Sequence, residues 1–392
     1  MSTHHDTIVI GAGLAGLAVA RTLQSGGRDV LLIESSDRVG GRVTSDEVDG
    51  FILDRGFQVI NPSYPEVIAL RLLEDLEFCP ITPAIRISQE SGDLLVGDPR
   101  NSLKFLPGLL RGATGSISEK VAFLNFLRTK QSLHKSFGAS SLKFPGFAAD
   151  TLNPFLQGVT LCDPAVVSAE VIRETLGYFI KAIPGVPRYG VKKFSEKLAA
   201  PVQNIHLNEV VQRVDGTKVQ TSTNEYSADH VVVATDLTTA TQLLDLTDSP
   251  RACESTTWYH STNTSLDRDD YLVVDRKAPV ANSIVISRVS RAYAPIDTHL
   301  IATTTISPVS ESEVRRWLAK LWSADTRSWN LVASYQIKQS LPLHTDYPRE
   351  DFKVRENTYV IGDHRAMPSQ QGALSSGRKV AEAIIRSTPL KH

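Results

Sequence analysis

Cysteine is scarce: the 392 residues hold three, Cys79, Cys162 and Cys253, far apart and without C-x-x-C spacing. That excludes a disulfide framework and a thiolate metal knuckle, so isolated reduced thiols are expected. No apolar run reaches the roughly 18 residues a membrane-spanning helix needs. An excess of one charge sign is also missing. Net charge is −1, which excludes a global drive toward nucleic acid or an anionic surface. The ten histidines show no metal-ligand spacing, and His4-His5 is expected to be an exposed pair in a frayed terminus. Internal repeats and low-complexity tracts are absent. The first expected strand begins at Thr7, which leaves no room for a signal peptide. A soluble, cytoplasmic protein is therefore expected, touching a membrane at most peripherally. The length allows two domains or one discontinuous pair.

What is present begins with Thr7-Ile8-Val9-Ile10, a short β-branched run that reads as a buried parallel strand. Gly11-Ala12-Gly13-Leu14-Ala15-Gly16 comes next in the pattern GxGxxG, and Leu17 to Leu23 reads as a helix. In such a motif the first glycine makes the tight turn. The second lets a pyrophosphate approach the backbone, and the third lets helix and strand pack closely. The helix N-terminus offers free N–H groups and partial positive charge to a diphosphate. A second strand, Asp29 to Ile33, ends in Glu34, 18 residues beyond Gly16. An acid at about that distance binds a ribose hydroxyl and repels a 2′-phosphate, which disfavours NADP.

Gly40-Gly41-Arg42 decides between NAD and FAD. Paired glycines permit close backbone approach, and a guanidinium matches phosphate oxygens. With Glu34-Ser35-Ser36-Asp37-Arg38-Val39 before it, the stretch resembles the ExxxxxGGR signature of the flavin amine oxidase superfamily. That superfamily includes monoamine oxidases, protoporphyrinogen oxidases and phytoene-type desaturases. The resemblance implies an α/β protein: a Rossmann-like (GR2-type) FAD-binding domain from 1–60, 201–250 and 346–392, with a discontinuous α+β substrate-binding domain from 61–200 and 251–345. It implies FAD contacts from Gly11, Ala12, Gly13, Leu14, Ala15, Gly16, Glu34, Ser35, Gly40, Gly41 and Arg42. It also implies that Gly56, Phe57 and Gln58, in the D-x-G segment from Asp54, run beside the isoalloxazine ring.

Further along, Val67 to Leu73 turns helical, and residues 81–98 alternate as a small sheet would. Residues 103–200 read as mostly helical. Leu103 to Arg111 and Leu142 to Phe147 are apolar with flanking bases. They are read as buried helix ends, with a lipophilic entrance or a membrane contact as the other reading. Asn153 to Val159 and Ile183 to Gly190 resemble loops of the desaturase and protoporphyrinogen oxidase branches, with Val191 to Ala200 as the next helix. Strands return at Ile205 to Gly216, Lys218 to Thr221 and Ala228 to Thr235. The resemblance implies that the backbone of Val211 bonds adenine. Residues 251–345 hold strands and a helix from Ser312 to Trp322, expected as a mixed sheet with a helix on one face.

Near the end, Thr358 to Asp363 reads as a strand ending in Gly-Asp. Pro368-Ser369-Gln370-Gln371-Gly372-Ala373 then opens a helix. This resembles the family's closing motif. It implies that Gly362 and Asp363 hold the ribityl chain and that Gln370, Gln371 and Ala373 lie at the flavin pyrimidine.

FAD carries the hard step in such proteins, so hydride removal from a C–H bond of a small or medium apolar or amine substrate is expected. No second GxGxxG provides a nicotinamide site, so oxygen or another acceptor should reoxidise the flavin. Two departures count against amines: no lysine lies in Ser255 to Ser265, and no aromatic pair precedes Gly362-Asp363. No cysteine lies near Ser369 to Gly377, so the flavin should be non-covalent. Gln58, Tyr335, Lys338 and His364 are the acid–base candidates, and no metal site is expected. A membrane-associated polyene desaturase or isomerase and a non-redox flavoprotein remain as alternatives.

Overall fold

The computed structural model describes residues 3–89, 92–98, 100, 102, 105, 114–247, 251–266, 270–275 and 279–387. Two sheets organise them. In the first, Thr3–Ile10 pairs in parallel with Val30–Ile33 on one side and Glu225–Val233 on the other. Ile205–His206 extends one edge, and Val211–Asp215 with Lys218–Thr221 extends the other. Thr358–Val360 adds in parallel to the second half of Glu225–Val233. The central strands are apolar on both faces because helices and loops cover both. Ile8, Val9, Leu31, Leu32 and Val231 to Val233 are fully buried, each contributing about 1.5–3 kcal/mol. The first helix, Leu14–Ser25, packs against the C-terminal helix, Gln370–Ser387, so the two ends of the chain share one core.

His4 and His5 do not lie in a frayed segment. The strand begins at Thr3, and His5 Nδ1 sits 2.8 Å from Asp29 Oδ2. The helix expected at Val67 to Leu73 also shortens to Pro65–Ala69. Beyond its last turn, Arg71, Asp75 and Glu77 take left-handed backbone conformations that no α-helix can continue through.

The second sheet has seven strands. In order these are Asn330–Leu343, Arg251–Thr262, His299–Thr305, Val280–Val285, Leu272–Asp275, Ala84–Ser88 and Leu94–Gly97. Residues 81–98 therefore form no sheet of their own. Their hairpin joins this sheet through the parallel pair Leu272–Asp275 and Ala84–Ser88. Glu311–Trp322 covers one face, with Val314, Leu318, Leu321 and Trp322 buried on Val273, Val280, Val285 and Ile301. Ser310 and Glu313 close that helix's start as a capping box. The opposite face is left for a cavity.

A helical layer roofs the cavity. Phe126, Phe137, Phe144 and Phe147 are buried together, and the half-buried Phe123 packs against them. Phe144 and Phe147 thus agree with the reading of Leu142 to Phe147 as a buried helix end, while Leu142 itself is exposed. Most of Leu103 to Arg111 lies outside the described residues. A π-helical turn, Ala148–Leu152, runs into Asn153–Thr160, where Pro154 occupies the first turn. Cys162 and Cys253, read as isolated, come within hydrogen-bonding reach of each other, one from this layer and one from the second sheet. Among the described residues no helix is long and apolar enough to cross a membrane.

Candidate active site

A cavity of ≈ 1120 Å³ runs between the two sheets and the helical layer. That exceeds the roughly 300–1,000 Å³ of ordinary small-ligand sites, so it has room for a large cofactor and a second molecule. Its first end is built by the opening motif. The turn at Gly11 (φ +100°) delivers the chain to the first helix, whose N-cap, Gly13, has no side-chain cap. No acidic residue stands in that helix's first turn, and Gly13, Leu14 and Ala15 face the cavity. The free N–H groups and the dipole there are suited to an anion. A Cβ on Gly13 would meet nothing within 4 Å, so the space before it is open. A Cβ on Gly16 would lie 1.9 Å from Gly11 O, because helix and strand touch there.

Glu34 ends its strand at the same place. Its Oε2 accepts from the Ala12 N–H at 2.7 Å and its Oε1 from the Ser36 N–H at 2.9 Å. The carboxylate is thereby held at the cavity wall beside Ser35. Gly40 bridges to Gly13, which brings Gly41 and Arg42 alongside the helix start. Arg42 Nη2 bonds Asp363 Oδ1 at 2.6 Å. Burial alone would raise the Asp363 carboxyl, but the Arg42 guanidinium outweighs it and holds Asp363 below its ordinary value. Val211, with Glu209 and Val210, lines the same end.

Farther in, Gly56, Phe57 and Gln58 pass along the wall. Gln58 Nε2 donates to Arg42 O at 2.6 Å and Arg55 O at 3.2 Å, and the Phe57 N–H donates to Thr257 Oγ1 at 3.2 Å. Gly362, Asp363, Gln370 and Ala373 face this region from the C-terminal elements. Beyond it the cavity opens into a chamber walled by Ile85, Val96, Leu152, Phe155, Leu176 and Phe179.

Several expected site residues fall elsewhere. Gly16 and Ala12 act behind the wall, the first in packing and the second as donor to Glu34. Gln371 is buried and accepts from the Glu66 N–H at 3.0 Å, so it faces the short helix Pro65–Ala69 instead of the cavity. Of the four acid–base candidates, Gln58 alone lines the cavity. Lys338 is exposed, because alternation along Asn330–Leu343 sends it to the outer side. Tyr335 packs edge-on against Tyr259, with Arg55 over its ring. His364 is buried outside the wall, its ring tucked under Gly362. Burial pushes its pKa down to about 4.

Asp54 of the D-x-G segment is structural. It is buried among Ser45 Oγ at 2.6 Å, the Val191 N–H at 3.1 Å and Tyr293 OH at 2.8 Å. Burial, against those bonds, lifts its pKa to about 6.

A model of the family described as "Flavin containing amine oxidoreductase" matches residues 14–385. The chain belongs to that family. A putrescine oxidase of Kocuria rosea is 52% identical over 65 residues, 17% of this chain and 14% of that protein. A lycopene-forming phytoene desaturase of Pantoea ananas is 47% identical over 91 residues, 22% of this chain and 18% of that one. The matched stretches thus span less than a fifth of those relatives' lengths. The fold extends further. An oxidoreductase structure from Methanosarcina mazei superposes with a TM-score of 0.74 at 16% identity, covering 96% of this chain and 100% of that one.

The cofactor of this flavin-dependent family member is FAD. The donor set fits it: an uncapped helix start, a guanidinium, a fixed carboxylate at a strand end and open space before Gly13. Gln370 adds a buried Oε1 that has no partner in the protein.

Sequence reasoning missed Ser255, Thr257, Thr304, Asn282 and Ser340, which also line the cavity. Alternation along Arg251–Thr262 would have put Ser255 and Thr257 on one face. Nothing local marked that face as the wall.

Proposed function

We propose that this chain is an FAD-dependent oxidoreductase that removes a hydride from a C–H bond of a small or medium, mainly apolar substrate, with oxygen or another diffusible acceptor reoxidising the flavin. One observation carries the reading. A single continuous cavity joins the end lined by Gly13, Leu14, Ala15, Glu34 and Arg42 to an apolar chamber past Gly56, Phe57 and Gln58. We assign the adenosine ribose to Glu34 and Ser35, adenine to the backbone of Val211, and the diphosphate to Gly11 through Ala15 with Gly40, Gly41 and Arg42. The ribityl chain falls to Gly362 and Asp363, and the ring system to Gly56, Phe57, Gln58, Gln370 and Ala373. The cofactor domain is taken as 1–60, 201–250 and 346–392, the substrate domain as 61–200 and 251–345, and FAD as non-covalent.

Bound FAD supplies the electron-accepting ring. The chain supplies position and dryness. Gln58, clamped by two carbonyls, and Thr257, bonded to Phe57, fix the segment beside the ring. Around the chamber the described charged side chains are Asp98, Arg100 and Lys181. Arg100 Nε bonds Asp98 Oδ2 at 2.7 Å. Among the described residues around the chamber no free carboxylate matches an ammonium, which favours neutral substrates over cationic amines. Apolar walls excluding water around the reacting C–H bond are the chain's main contribution.

Three free thiols fit a reducing, cytoplasmic location. Exposed Ile117, Val121 and Leu124 on Ile117–Arg128 offer a peripheral membrane contact. Liposome sedimentation that Val121→Glu abolishes would support that contact. No nucleic-acid partner is proposed.

Anaerobic mixing of the FAD-loaded protein with neutral apolar compounds and with aliphatic amines, followed at the visible flavin band, tests the function. Bleaching by neutral compounds is expected. Bleaching by amines alone, or by none of the panel, overturns the reading.

A further inference from the structure

One wall of the chamber carries a polar line of which the assignments above use only one member. Thr257, Thr304 and Asn282 stand opposite one another on three neighbouring strands, Thr257 paired with Thr304 and Thr304 with Asn282. All three line the cavity, at 0%, 3% and 4% exposure. Thr257 is tied to Phe57. The other two are not tied to anything: Asn282 Oδ1 and Thr304 Oγ1 are buried without a partner in the protein. A buried polar atom left unpaired costs about 1–3 kcal/mol. Two such atoms side by side, flanked by Leu272, Val274 and Ile85, call for a ligand that pairs both. The roof leaves space for the amide as well, since a Cβ on Gly158 would come within 2.9 Å of Asn282 Nδ2.

We propose that Asn282 and Thr304 form a recognition subsite for a neutral hydroxyl group on an otherwise apolar substrate. The hydroxyl donates to Asn282 Oδ1 and accepts from the Thr304 O–H, which satisfies both atoms with one group. A hydrocarbon leaves both unpaired, and an ammonium finds no carboxylate beside them. Thr304 and Asn282 lie one and two strand spacings from Thr257, about 5 and 10 Å. The hydroxyl is thereby held away from the segment Gly56–Gln58, and a carbon nearer that segment is presented for reaction. This rests on reading the chamber as the substrate site, but binding at the subsite does not require turnover.

The test titrates the FAD-loaded protein with 2-naphthol, naphthalene and 2-naphthylmethylammonium. Binding is read from the visible flavin band and, separately, by calorimetry. The expectation is that 2-naphthol binds about tenfold or more tighter than naphthalene, the span of one satisfied buried hydrogen bond, and that the ammonium binds weakest. Combining Asn282→Leu with Thr304→Val should bring the naphthol-to-naphthalene ratio near one, with flavin content as the control. Thr304→Ser should keep the ratio. If the double variant loses its flavin, Thr304→Val alone should still lower the ratio several-fold.

Equal affinities in the unaltered protein, a ratio that survives the double variant, tightest binding of the ammonium, or no binding of any probe would each overturn the subsite. Hydroxyl preference together with no bleaching by the wider panel of neutral compounds and amines would keep the subsite and remove the oxidoreductase reading. Bleaching without hydroxyl preference would do the reverse.

Discussion

Gly13→Val should separate cofactor binding from folding. The backbone at Gly13 has φ −72° and ψ −180°, which any residue adopts, and a Cβ there meets nothing within 4 Å. The apoprotein should therefore fold normally. The valine would instead project into the cavity at the start of the first helix, where the diphosphate is assigned. A hydrogen bond to a charged group is worth about 1.5–3 kcal/mol. Displacing two phosphate contacts then costs about 3–6 kcal/mol, roughly 150- to 25,000-fold in Kd. Gly16→Ala is the contrast, because its Cβ would lie 1.9 Å from Gly11 O and the fold itself should suffer. The assay is titration of apoprotein with FAD by flavin fluorescence, paired with apoprotein Tm. Valine at 13 with full flavin content and an unchanged Kd would refute the reasoning. So would an apoprotein Tm as low as that of Gly16→Ala.

Glu34→Ala removes the acceptor of the Ala12 and Ser36 N–H groups. FAD affinity should fall about tenfold or more in the same titration. Asp54 has a folded pKa raised by burial to about 6. Its stabilising contribution is therefore complete below the unfolded value near 3.8 and is lost as pH rises through 6. Relative to Asp54→Asn, the unaltered protein should lose up to about 3 kcal/mol between about pH 4 and 6.5, read from urea midpoints. His364 shows the opposite sign, with its folded pKa pushed down to about 4 by burial. Relative to His364→Gln, stability should fall by up to about 3 kcal/mol as pH drops from about 6.5 to 4. The pH profile of flavin bleaching between about pH 5 and 8 should be the same in both proteins, because His364 stays neutral there. Asp363→Asn removes the carboxylate partner of Arg42 and leaves its bond to Ser340 O at 2.9 Å. It should weaken FAD binding without abolishing folding, measured as flavin retention on gel filtration.

The cofactor end was legible because its signals are local. GxGxxG, Glu34, Gly40-Gly41-Arg42 and Gly362-Asp363 each depend on short-range turn chemistry, and the structure brings all of them to one cavity. The chamber was not legible, because its wall is made by pairing between distant segments. Thr257, Thr304 and Asn282 become neighbours only through the order of the seven strands. The hairpin Ala84–Ser88 and Leu94–Gly97 joins that sheet through a partner almost 190 residues away in sequence. Lys338 was misjudged for the same reason, since proximity along the chain said nothing about which side of a 14-residue strand it would occupy, whereas Tyr335 shares the face of Thr257 but packs against Tyr259. Gln371 differs from Gln370 by one helical step, enough to turn it from the cavity to Glu66. Cys162 and Cys253 meet only because the helical layer lies on the second sheet.

The account's central claim is that distant segments close on one FAD along this cavity. Apoprotein titrated with FAD and followed by hydrogen exchange tests it most directly. One FAD per chain is expected, with new protection at residues 11–16, 40–42, 56–58 and 362–373 together. A folded, colourless protein that takes up no FAD, or uptake that leaves those four segments unprotected, would contradict it.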